Sequence, residues 1–296
     1  MKRHPLTHRL EAGTRLLLLA GLALGLNPAA WPASPTFTTI DVPGAIFTAA
    51  YKINPQGGIV GEYVDASGAA THGFLLQQGV YTTIDVPGAV NSRALGINPQ
   101  GDIVGDYDDA SGAVHGYLLR QGGFTTIDVP GATLTVADGI SPQGDIVGGY
   151  LDTSGVEHGY LLRQGSFSSF DVPGATQTLP YDINSQGDIV GLHRDSGRFY
   201  GFLLQKGTFT VIDVAGSAGL GNGAASINPQ GEILGSYQDS SGTFHGYLLQ
   251  QGGFTTIDLP GATDTVAVGI TPQGDIVGNY VDASSMTHGF LLSLGE

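Results

Sequence analysis

The sequence predicts an all-β fold: a six-bladed β-propeller of four-stranded antiparallel blades, with the ring closed by the N-terminal strand Phe37–Asp41 completing the last blade. Three observations lead there. The string QGDIVG, or a close variant, begins at residues 56, 100, 143, 186, 230 and 273, a spacing of 43 or 44. Two landmarks travel with it. FTTIDVPGA and its variants start near 37, 81, 124, 167, 209 and 254, and HGFLL or HGYLL occurs at His72, His115, His158, His245 and His288, with YGFLL at Tyr200. The stretches between them are short, β-branched or aromatic, and bounded by Gly and Pro. They read as strands and leave no room for helices of ten residues. A period near 43 also suits helical arrays, but the local pattern favours propeller blades.

Each strand follows from the third repeat. ADGI (137–140) leads into SPQG, then DIVGGYL (145–151), DTSG, EHGYLL (157–162), RQGS and FSSFDV (167–172). Pro second and Gly fourth in NPQG or SPQG suit a type I turn closed by a residue at positive φ. The Asp-x-Ser-Gly tips suit an Asx turn. The four-residue xQGx links are of hairpin length. Three tight hairpins make a four-stranded meander, and the longer VPGA connection passes the chain to the next sheet. The first FTTID has no meander before it, and the last repeat stops after HGFLL without a fourth strand. The spare strand at one end fits the gap at the other, which is how a propeller removes its open edges.

Residues 1–33 read as a signal peptide: Lys2, Arg3, Arg9 and Arg15 surround the start, followed by the apolar run Leu16–Leu26, too short to span a bilayer. Residues 37–296 form the six-repeat propeller. A secreted location, extracellular or periplasmic, is expected, with no membrane span once the signal is removed. The chain has no cysteine, so the core holds the fold without disulfides. Removing residues 1–33 leaves seven basic against 25 acidic residues, a net charge of −18. That charge excludes nucleic acid as a partner and favours a soluble monomer.

Strand alternation assigns faces. The glycine of IVG, at Gly148 and its equivalents, is expected to let an aromatic ring lie on bare backbone. If Leu119 pairs with Phe124, register sets His115 opposite Asp128. The same offset gives His72/Asp85, His158/Asp171 and His245/Asp258, and ring closure gives His288/Asp41. These read as structural staples, each worth roughly 1–3 kcal/mol if partly buried. Tyr200/Asp213 has the same offset. No catalytic motif, phosphate loop, metal-ligand set or cofactor signature appears, so no catalytic, metal or cofactor residues are assigned. The repeats differ most in the innermost strand. There Tyr51, Lys52, Arg93, Asp138, Tyr181 and Asp182 are the candidates for an asymmetric binding site at the channel mouth.

The pattern G-I-N-x-x-G-x-I-V-G followed by H-G-[FY]-L-L resembles the HAF-repeat family of extracellular bacterial proteins, with Gly where the name has Ala. The resemblance covers Phe37 to Glu296. It implies a secreted or surface repeat protein and no catalytic residues. Three readings follow. The first is a non-catalytic exported scaffold that binds a protein or carbohydrate partner. The second is a multivalent lectin-like protein with equivalent sites between blades. The third is an enzyme with one channel site that uses Asp138 and Asp182 for acid–base work.

Overall fold

A computed structural model describes residues 36–219 and 221–293; the expected signal segment 1–33 lies outside them. Those residues form 25 strands. The first, β1 (Thr36–Ile40), stands alone in sequence. Blade 1 is β2–β5 (Phe47–Ile53, Ile59–Val64, Thr71–Gln77, Val80–Ile84). Blade 2 is β6–β9 (Asn91–Ile97, Ile103–Asp108, Val114–Arg120, Gly123–Ile127). Blade 3 is β10–β14 (Leu134–Thr135, Gly139–Ile140, Ile146–Leu151, Glu157–Arg163, Ser166–Phe170). Blade 4 is β15–β18 (Gln177–Ile183, Ile189–Asp195, Arg198–Gln205, Thr208–Ile212). Blade 5 is β19–β22 (Gly223–Ile227, Ile233–Gln238, Phe244–Gln250, Gly253–Ile257), and blade 6 begins with β23–β25 (Asp264–Ile270, Ile276–Val281, Thr287–Ser293). Each blade is an antiparallel meander, and β1 supplies the fourth strand of blade 6, pairing Phe37 with Leu292 and Ile40 with Gly289. The innermost strands of successive blades lie against one another, including β23 against β2, so the six sheets form a closed ring.

The turns follow the local sequence. In blade 2, the Asn98 side chain accepts the amides of Gln100 and Asp102, while Gly101 N donates to Asn98 O with φ at +83°. This is the expected type I turn closed by a left-handed glycine. One link is tighter than expected. Arg120 pairs with Gly123, so only Gln121 and Gly122 form the loop, both at positive φ. That is a two-residue type I′ turn, whose twist matches the strands it joins. The innermost strand is bulged in every blade. In blade 3 the bulge at Asp138 divides it into β10 and β11.

The core lies between blades, with one main apolar cluster for each of the six interfaces and a smaller seventh of Leu95, Leu134 and Val136. Blade 2 meets blade 3 through Val104, Ile127, Ala137, Ile140, Ile146 and Tyr160. The middle strands therefore bury both faces, which explains the apolar run IVG. Gly148 pairs directly with Tyr160, which is fully buried. A Cβ on Gly148 would press into the Val136 carbonyl and come 3.0 Å from the Tyr160 ring. The missing side chain lets sheet and ring pack this closely.

Candidate functional site

The six innermost strands converge on the ring axis. Just before the isoleucine of each one stands Lys52, Gly96, Gly139, Asp182, Ser226 or Gly269. At the three glycines a Cβ would meet the backbone of the neighbouring inner strand at about 3 Å. The three side chains meet each other. Lys52 Nζ lies 2.9 Å from Asp182 Oδ2 and donates to Ala225 O at 2.7 Å. Ser226 Oγ and Ile227 N donate to the same Asp182 oxygen, at 2.6 and 3.1 Å. Lys52 belongs to blade 1 and Asp182 to blade 4, three blades away in either direction. The network therefore crosses the axis and ties opposite sides of the ring.

A second network joins blades 1 and 2. Arg93 Nη1 lies 2.6 Å from Asp106 and 3.3 Å from Asp108, and its Nε lies 3.3 Å from Glu62. Tyr51 donates to Glu62 at 2.7 Å, and Asn91 donates to Asp108 at 2.7 Å. Burial works against the Arg93 charge, but Asp106, Glu62 and Asp108 outweigh it and raise its pKa. Asp138 and Tyr181 occupy the bulge positions of blades 3 and 4. Asp138 is buried and its amide donates to Val147 O, and the Tyr181 carbonyl backs onto Gly139.

The six channel candidates therefore do not line one open mouth. The structure pairs Lys52 with Asp182 and links Tyr51 to Arg93 through Glu62. Asp182 Oδ2 is bound by an ammonium, a hydroxyl and an amide, and so takes part in a salt bridge across the axis. The reason is volume: at the axis six strands come so close that half the positions accept only glycine. Sequence reasoning missed Ser226, Glu62, Asp106 and Asp108. The departures from glycine before INPQG would have found Ser226. The variable position after IVG, which reads Glu62, Asp106, Gly149, Leu192, Ser236 and Asn279, would have found the first two carboxylates.

The structure brings together every predicted His/Asp pair. Histidine Nδ1 lies 3.0 Å from the carboxylate in His72/Asp85, 2.8 Å in His115/Asp128 and 2.9 Å in His158/Asp171. It lies 2.7 Å away in His245/Asp258 and 3.0 Å in His288/Asp41. Two partners were not foreseen. The other ring nitrogen faces the hairpin-tip aspartate, at 3.8 Å for Asp65, 3.5 Å for Asp109, 3.4 Å for Asp152 and Asp239, and 3.5 Å for Asp282. A tyrosine of the second strand stacks on each imidazole, with centroids 5.1–5.2 Å apart. Blade 4 departs from this. Its tip shortens to a two-residue turn at Ser196–Gly197, its stack exchanges the residues as His193 and Tyr200, and Asp213 accepts from Asn222 instead.

Because blades diverge outward, grooves open between them. The groove between blades 1 and 2 has a volume of about 670 Å3. Leu75, Ile84, Ile103, Leu119 and Phe124 give it an apolar floor. Thr82, Thr83, Asp85, Gln100, Asp102, Arg120 and Gln121 add polar groups, with Gly101 and Gly122 at the turns. All fourteen residues recur unchanged 43 positions later, so the sequence of the interface between blades 2 and 3 has the same lining. The next interface departs, with Ser168, Ser169, Phe170, Gln205 and Lys206 replacing the two threonines, the isoleucine, the arginine and the turn glutamine. Among the described residues, no group of three or more His, Asp or Glu is arranged to hold a metal ion.

A scan of protein-family models finds no match to this chain, and a search of curated proteins finds none either. Solved structures do match in shape. TolB from Acinetobacter baumannii aligns with a TM-score of 0.55 at 12% identity, covering 83% of this chain and 63% of that one. An arginine-to-alanine triple mutant of AofleA from Arthrobotrys oligospora aligns at 0.53 and 12% identity, covering 87% and 86%. Virginiamycin B lyase from Staphylococcus aureus aligns at 0.51 and 10% identity, covering 86% and 88%. At such identities the likeness is one of fold alone; the chain's own six sheets, closed by β1, define it as a six-bladed propeller.

Proposed function

We propose that this protein is an exported, non-catalytic binding scaffold of the HAF-repeat type, and that it binds through the grooves between its blades. The observation that carries this reading is the fate of the polar residues at the axis. Lys52, Asp182, Arg93 and Glu62 are engaged with one another across and between blades. The open, repeated concavities lie further out. Secretion and the HAF-type resemblance rest on the N-terminal sequence and the repeat signature.

A carbohydrate is the ligand class that the groove lining favours. An apolar floor with an aromatic ring, beside carboxylate, amide, guanidinium and hydroxyl groups, suits a molecule with apolar ring faces and hydroxyl edges. Repetition adds avidity on a multivalent surface. A glycan-array screen of residues 34–296, followed by calorimetric titration of a hit, tests both readings. Two equivalents per chain, weakened together by Phe124→Ala and Phe167→Ala, is the expected result. A glycan bound at one equivalent and lost with Asp182→Asn would return the site to the axis. Absence of glycan binding would direct the scaffold reading to protein partners, sought by cross-linking.

A further inference from the structure

We propose that the Asp–His–Asp arrangements of blades 2, 3 and 5 are acid-locked clamps, which hold three hairpin tips against the inter-blade loops at mildly acidic pH and release them above neutrality. The geometry carries the argument. In each clamp one carboxylate belongs to the tip between the second and third strands. The other follows the outermost strand, where the chain leaves for the next blade. Alternating strand direction places tips and exits on the same face of the ring. The histidine between them connects the blade's own tip to the crossover.

A neutral imidazole has one N–H. It can donate to one carboxylate, and its other nitrogen then turns a lone pair toward the second. Only the imidazolium donates to both. The charged and titratable groups around each ring are the same in kind. His72 faces Asp65, Asp85 and Tyr63; His115 faces Asp109, Asp128 and Tyr107. His158 faces Asp152, Asp171 and Tyr150; His245 faces Asp239, Asp258 and Tyr237; His288 faces Asp282, Asp41 and Tyr280. No cation opposes the proton in any of these sets.

For His115, His158 and His245, burial works to lower the pKa, but hydrogen bonds and charge from both aspartates overcome it and raise the value above 6.5. The sign follows from linkage. A histidine with a raised folded-state pKa contributes stability that is complete below 6.5 and is lost as pH rises through the folded value. Blade 4 provides a contrast of opposite sign: Tyr200 replaces the clamp histidine, and the stacked His193, with Asp195 beside its short turn, is pushed below 6.5 by burial.

The test uses residues 34–296 and a variant with Asp109, Asp152 and Asp239 all changed to Asn. Asparagine keeps the oxygen that accepts the tip amides and removes the charge facing the ring. Melting temperature is followed from pH 5.5 to 8.5, with amide exchange at the tips. The wild type is expected to melt lower and exchange faster at the tips of blades 2, 3 and 5 as pH rises through 7, while the tip of blade 4 does not loosen. The variant is expected to lose most of that dependence. A wild-type melting temperature unchanged over the range, or an equal dependence in the variant, overturns the proposal. If the triple variant does not fold, Asp109→Asn alone is read by NMR titration of His115. Its midpoint should fall toward 6.5, and an unchanged midpoint overturns the clamp.

Discussion

Lys52 and Asp182 stand on opposite blades and meet at the ring axis, Nζ to Oδ2 at 2.9 Å, with both side chains almost wholly buried. An ion pair within one blade would stabilise that blade. This pair can form only when all six blades are in place, so it reports on closure of the whole ring.

Breaking the pair from one side is therefore expected to be costly. Lys52→Met leaves a buried carboxylate without its cation, worth about 3 kcal/mol by comparison with other buried pairs. For a domain of this size, that is a fall in Tm of roughly 6–12 °C. The double variant Lys52→Met with Asp182→Leu removes both charges and should recover much of the loss. Chemical denaturation of the four proteins gives the coupling energy; a value below about 0.5 kcal/mol would show that the pair does not hold the ring.

Arg93 is the single cation among Glu62, Asp106 and Asp108 in the inter-blade network. Arg93→Met should destabilise by about 3–5 kcal/mol at pH 7. Arg93→Lys should recover only part, since one ammonium cannot replace a guanidinium that contacts three carboxylates through two nitrogens. Denaturation at pH 7 decides; an equal loss in the Met and Lys variants would contradict the guanidinium argument.

Gly148→Ala tests the close approach of ring and sheet. The added methyl presses on the Val136 carbonyl and the Tyr160 ring, and overpacking of this kind costs about 3 kcal/mol. Gly155→Ala, at a tip where nothing lies within 4 Å, provides the contrast. It should cost only the strain of its positive φ, about 1 kcal/mol. Equal Tm losses for the two variants would refute the packing role.

The hairpin tips set the acid limit. In Asp109 and Asp282, hydrogen bonds from tip serines and backbone amides hold the pKa down to about 2. At Asp239 burial opposes the same bonds, which still bring it to about 2, and Asp152 is also lowered. A lowered carboxylate contributes stability that is present above its ordinary value of 3.8 and is lost as pH falls through the folded value. Stability should therefore decline between pH 4 and pH 2. Asp109→Asn with Asp282→Asn should decline less steeply, as read by Tm at half-unit steps; identical slopes would refute this.

Much of the site was readable because repetition makes the chain its own alignment. The His115/Asp128 offset followed from one register assumption, and Leu119 does pair with Phe124. The second carboxylate was harder to read. Asp109 lies six residues before His115, but Asp65 lies seven before His72 because that tip holds one more residue. A constant spacing therefore does not reveal it. The stacked tyrosine was already present in the strand pattern, since Tyr107 pairs with His115 across adjacent strands.

By itself, the sequence determined the class of fold, the number of blades, the strand order and the closure by β1. Each of these depends on short-range chemistry: turn residues, two-residue periodicity and a repeat that returns every 43 or 44 positions. Only the tertiary structure decided what fills the middle. Lys52, Asp182 and Ser226 lie far apart in the chain and on three different blades. Their meeting depends on the diameter of the closed ring, which comes from how closely the inner strands pack at Gly96, Gly139 and Gly269. No local pattern encodes a distance measured across an axis, so the residues predicted to receive a ligand there instead bind one another.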